Sequence, residues 1–308
     1  MPNKITKNDC SLLAHVAGYR LLTVRQISAL SQRSLQVVRR RMRALRNENL
    51  ISTKIRGYGR SRGRPEELIL LNEEGMQFLK EKVILSSNAD YSMDKVVDLH
   101  FVDHELLINW FCIHLLQIER VNPELSVHCL NNHNSSSLAQ DKDERPFLQE
   151  RVPADNGQDK FLEFIPDGVF SITNLKAEPP KTLLFFLEVD MSTETLASTD
   201  KDSKDVRQKI INYQALFRSG HYKRYARVFD AGLNGFRLLF LANTSARLAS
   251  LCRLIKEMPP SDFVWLTDQE LMFSHGLSAE IWVRGGLNNE SLQSILGPEP
   301  VVLPLCSL

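Results

Sequence analysis

Residues 23–46 read TVRQISALSQRSLQVVRRRMRALR, and the spacing of their apolar residues sets the architecture of the first part of the chain. Thr23 is a good N-cap, and Val24, Ile27 and Leu30 keep to one apolar face, which predicts a short helix of about two turns. Ser31 and Gln32 make a turn. Ser34 caps a third helix, in which Leu35, Val38, Met42 and Leu45 recur at spacings of three and four. Gln36, Arg39, Arg40, Arg43 and Arg46 fall on its other faces. That helix has one apolar side and one cationic side.

Upstream, residues 9–17 (DCSLLAHVA) carry helix-spaced apolar residues and stop at Gly18. Downstream the period changes to that of strands: ISTKI, the polar loop RGYGRSRGRPE, then ELILL. Two short strands about a basic loop predict a β-hairpin, and an amphipathic helix from near Asn72 closes the unit. Helix, turn, helix and hairpin together predict a winged helix-turn-helix domain over residues 1–87. Such a domain lays one helix in the major groove, where side chains meet base edges and phosphates. Ser34 and Gln36 stand near the start of that helix, and Arg33, Arg39, Arg40 and Arg43 suit phosphate or guanine edges. In the wing, Arg56, Arg60, Arg62 and Arg64 alternate with glycines, whose small size permits close approach to a minor groove or phosphates. The expected partner is double-stranded DNA, with no cofactor required to bind it.

Charge supports this division. Residues 1–80 hold 16 Lys and Arg against 6 Asp and Glu, and the remaining 228 hold 22 against 31, so a net of +1 conceals a basic head on an acidic body. No apolar run is long enough to span a bilayer and no secretory leader is evident, so the expectation is a cytoplasmic protein without a membrane partner. The five cysteines lack C-x-x-C spacing and read as reduced, mostly buried thiols. Gly57 and Gly59 do not lie between a strand and a helix, so they are no dinucleotide fingerprint. His100 and His104 lie one turn apart but imply no third metal ligand.

Residues 88–94 read as a linker, followed by a second domain over 94–308. A long helical pattern from Asp94 to Arg120 ends at Asn122-Pro123. Strands and helices then alternate, and the unbroken run TLLFFL (182–187) reads as a strand buried on both faces. The fold class is therefore mixed α/β, with partly parallel pairing in the second domain. Ile165-Pro166-Asp167-Gly168 is expected to end one strand and Phe186-Leu187-Glu188-Val189-Asp190 the next. Glu188 and Asp190 then share a face, and an adjacent strand could bring Asp167 to it. Three gathered carboxylates would suit Mg or Mn.

At these residues the chain resembles the PD-(D/E)xK nuclease fold. A basic winged helix followed by PDG and FFLEVD-x-S/T-x-E is similar to the replication-relaxation family associated with plasmids. The resemblance implies that Asp167 and Glu188 are the two acids of a metal-dependent DNA endonuclease. Asp190 stands where the nuclease lysine belongs. A lysine on the next helix could replace it, Lys209 first and Lys204 second. Two readings follow. In the preferred one the chain is a DNA-binding regulator or accessory factor of a plasmid or mobile element, whose inactive nuclease-like domain supports a homodimer or a protein partner. In the other, Asp167, Glu188 and Lys209 cleave DNA.

Overall fold

The computed structural model describes residues 5–56, 66–85, 101–131, 148–153, 161–198, 205–287 and 291–305. The chain divides into two compact units, one holding the described residues through Ile113 and the other those from His114 onward. The class is mixed α/β. No described helix is long and apolar enough to cross a membrane.

The first unit opens with α1 (Lys7–Tyr19), whose start is fixed by a reciprocal capping box between Thr6 and Asp9. β1 (Leu21–Thr23) follows, and a second capping box between Thr23 and Gln26 starts α2 (Val24–Ser31). Gln32 adopts a left-handed conformation at φ 53° and ends α2. Ser34 then caps α3 (Leu35–Asn47), β2 (Ile51–Ile55) pairs antiparallel with β3 (Glu67–Leu71), and α4 (Glu73–Glu81) follows. β1 joins the other edge of β3, giving the order β1-β3-β2. This third strand is too short for its period to register in the sequence. Leu13, Val16, Ile27, Val38, Leu45 and Leu68 are buried in this unit.

α5 (Val102–Val121) stops before Asn122-Pro123 as the sequence predicts. The expected linker at 88–94 and His100 lie outside the described residues. The boundary itself differs from the sequence reading, because the first unit runs on to Ile113. The buried Gln26 amide donates to the Leu106 carbonyl at 2.9 Å, and the Asn109 amide donates to the Leu21 carbonyl at 2.8 Å. Apolar periodicity says that a helix is buried but not against which neighbour.

The second unit is built on a six-stranded sheet of order β11-β10-β9-β8-β7-β4. Its strands are β4 (Leu125–Asn131), β7 (Gly168–Asn174), β8 (Lys181–Asp190), β9 (Phe236–Ala242), β10 (Val264–Asp268) and β11 (Val283–Arg284). A separate antiparallel pair, β5 (Glu150–Pro153) and β6 (Phe161–Phe164), lies between β4 and β7 in sequence. α6 (Val206–Ser219), a 3-10 turn (His221–Arg224) and α7 (Tyr225–Val228) connect β8 to its parallel neighbour β9. α8 (Ser245–Lys256) likewise connects β9 to parallel β10, and α9 (Gln269–His275) follows. β8 is buried from Leu184 to Asp190, whereas Thr182 is half-buried and Leu183 exposed, so only the later part of the apolar run is covered on both faces.

One expectation is corrected. Asp167 does not end a strand that runs alongside β8; it stands at the start of β7, which runs antiparallel to β8. Pro166 has no N–H to give a ladder, so the pairing begins after it.

Candidate functional site

In the first unit, α3 carries the surface of interest. Its apolar residues Val38, Met42 and Leu45 are buried, which turns Ser34, Gln36, Arg39, Arg40 and Arg43 outward, all exposed. Gln36, Arg39, Arg40 and Arg43 are three and four residues apart and form one continuous face. None of those three arginines forms an ion pair with a described residue. Arg33 is half-buried on the turn before α3. Arg41 points the other way, where its guanidinium bonds both carboxylate oxygens of the fully buried Asp9, at 2.7 and 2.5 Å. That pair fastens α3 to α1. Burial works to raise the Asp9 pKa, but the bonds from Arg41 and Thr6 outweigh it and hold the carboxyl below its ordinary value.

Arg56, just after β2, is the one wing arginine among the described residues. Its guanidinium is engaged by Asp103 at 2.8 Å and by Glu66 at 3.2 Å. Arg60, Arg62 and Arg64 lie outside the described residues.

In the second unit, the β7–β8 register sets Gly168 opposite Leu187, so Asp167 stands opposite Glu188. The Asp167 N–H donates to the Leu187 carbonyl at 3.1 Å, and one Asp167 carboxylate oxygen accepts from the Val189 N–H at 2.7 Å. Like charges directly opposed across two strands repel. The relief comes from α6. Lys209 Nζ lies 3.1 Å from Glu188 Oε2, and the Tyr213 hydroxyl, one turn further on, donates to Glu188 Oε1 at 2.5 Å. Lys209 also reaches Glu194 at 2.8 Å. Thus Asp167, Glu188 and Lys209, singled out in sequence, come together, and Glu194 and Tyr213 join them. Glu194 belongs to the motif FFLEVD-x-S/T-x-E, the one signal that could have found it. Lys204 lies outside the described residues.

Asp190 does not complete a three-carboxylate cluster. Both of its carboxylate oxygens are taken by the Arg247 guanidinium of α8, at 2.8 and 2.9 Å, and one also accepts from the Ser192 N–H. Among the described residues no group of three or more His, Cys, Asp or Glu is arranged to hold a metal ion. Strand alternation does set Glu188 and Asp190 on one face, but α6 and α8 each supply a cation to one of them. A further buried acid, Glu150, accepts from Arg224 at 2.9 Å and from the Tyr225 hydroxyl at 2.7 Å.

Burial, together with the charge of Asp167, pushes the Glu188 pKa from its ordinary 4.5 to about 7, against the opposing pull of Lys209 and Tyr213. Burial works to lower the Lys209 pKa, but the charges of Glu188 and Glu194 outweigh it and raise the value. Between about pH 4.5 and 7 the folded protein therefore binds a proton at Glu188 that the unfolded chain has released, so this residue's contribution to stability falls as pH rises. Thermal unfolding across that window should show melting temperature declining toward neutrality, with a flatter profile for Glu188→Gln. An unchanged slope in the variant would exclude Glu188 as the titrating group.

Comparison with known proteins adds one match. No curated protein and no solved structure matches the chain. A family model described as replication-relaxation matches residues 13–231, a span that takes in α3, the Asp167–Glu188 pair and Lys209. By this match over more than half its length, the chain belongs to the replication-relaxation family, which gives it a replication-related function.

Proposed function

We propose that the chain is a double-stranded DNA-binding factor of a plasmid or other mobile element, acting as a regulator or accessory in a replication-related process. The first unit is a winged helix-turn-helix domain with α3 as its reading helix. The second unit is a nuclease-like scaffold whose acidic surface serves self-association or a protein partner. One observation carries the reading: α3 buries its apolar stripe and leaves Gln36, Arg39, Arg40 and Arg43 exposed on one face. Three arginines a turn or less apart match phosphates, and Ser34 and Gln36 near the helix start suit base edges.

The rival reading is metal-dependent cleavage through Asp167, Glu188 and Lys209, and the 3.1 Å contact between Lys209 and Glu188 favours it. The same contact weighs against it. A nuclease needs its acids open to Mg or Mn and its ammonium aimed at the phosphate under attack, where charge develops. Here Lys209 is engaged by Glu188 and Glu194, and Asp190 by Arg247.

Fluorescence anisotropy with the full chain and a labelled duplex tests both. Binding should be tight at low salt and weaken steeply as salt rises. Plasmid and linear duplex should remain uncut in Mg or Mn. Absence of duplex binding at low salt would overturn the DNA-binding reading. Cutting lost in both Asp167→Ala and Lys209→Ala would establish the rival.

A further inference from the structure

The polar groups around Glu188 account for the cation that a pair of opposed carboxylates requires. Glu188 is 4% exposed, and each of its oxygens already accepts a bond, one from the fully buried Tyr213 hydroxyl and one from Lys209. Asp167 faces it across the ladder with one oxygen held by the Val189 N–H. Glu194, 40% exposed, holds the same ammonium from the solvent side. The segment bearing Glu194 is itself fixed, because Arg247 donates to the Glu194 carbonyl at 2.6 Å while pairing with Asp190. A divalent ion demands oxygens with free lone pairs at about 2.0–2.6 Å and holds water reluctantly released. An ammonium offers three rotatable donors and fits acceptors at ordinary hydrogen-bond distance. The contacts of 3.1 and 2.8 Å are of the second kind.

We infer that Lys209 is the resident cation of this acid cluster and takes the place of a divalent metal. The charge of Glu188, which faces Asp167 across the ladder, is met by an ammonium tethered to α6, with Glu194 as its outer anchor, so the folded protein has no use for Mg or Mn at this position. Removing the ammonium takes from Glu188 and Glu194 the cation they share and opens the same place to a divalent cation. This inference does not depend on DNA binding by the first unit, and failure of one leaves the other standing.

The test is thermal unfolding of the full chain with Mn(II) or with a chelator, alongside electron paramagnetic resonance of bound Mn(II). Wild type and Lys209→Arg should show the same melting temperature with either addition and no bound Mn(II) that depends on Glu188. Lys209→Met should melt lower with chelator and gain about 3 °C or more with saturating Mn(II), a gain lost again in Lys209→Met/Glu188→Gln. Mn(II) binding by wild type that disappears in Glu188→Gln would overturn the inference, as would a Lys209→Met protein indifferent to Mn(II). If Lys209→Met does not fold, the wild-type resonance measurement and its Glu188→Gln control decide the matter alone.

Discussion

Replacing Arg39, Arg40 and Arg43 together by alanine is expected to weaken duplex binding by about 100-fold or more near 0.1 M salt. The reason is counterion release: each phosphate neutralised contributes about 0.9 to the slope of log affinity against log salt, so losing three contacts should flatten that slope by ~2.7. The folded unit should be little affected, because all three side chains are exposed and alanine is the best helix former. A melting temperature close to wild type would show that affinity, rather than folding, has changed. If the triple variant kept its salt slope, α3 would not be the surface that meets phosphates. Gln36→Ala separates positioning from reading, since it should relax sequence preference while leaving the slope intact.

Arg247→Met should destabilise the second unit by about 3–5 kcal/mol, the usual consequence of leaving one member of a buried ion pair uncompensated. Asp190 is 4% exposed and Arg247 11%, and their contact is bidentate. The variant also removes the bond that Arg247 gives to the Glu194 carbonyl. Adding Asp190→Leu should recover most of the loss, because replacing both charges by apolar groups of similar volume is often close to neutral. Urea unfolding of wild type, the single variant and the double variant measures this directly. A single-variant loss under about 1 kcal/mol would mean that the pair behaves as an exposed one.

Much of this arrangement was readable from residue order, and particular residues show where reading stops. Thr23 and Ser34 announce the starts of α2 and α3, because a side-chain oxygen satisfying a free N–H acts within three residues. β2 and β3 follow from alternation, whereas β1 has only three residues and exists because β3 offers an edge. The spacing of Asp167 and Glu188, about the length of a hairpin, allowed the two to meet, but Asp167 was expected to end a strand and instead stands just before β7. Lys209 was nominated by the nuclease resemblance, as a lysine on the helix that follows β8.

Residue order alone was enough for the order and type of most elements and for the apolar and cationic sides of α3. These rest on local hydrogen bonding and on the periods of helix and strand. Long-range packing sets Asp167 against Glu188 and chooses the cation that Glu188 and Asp190 each receive. Arg247 meets Asp190 across 57 residues, and Arg56 meets Asp103 across 47. No local period encodes such partners, because they are chosen by the packing of α8 over the sheet and of α5 within the first unit. Asp190, expected to hold metal, is bonded by Arg247, and Arg56, expected to meet DNA, is bonded by Asp103, in both cases by a neighbour distant in the chain.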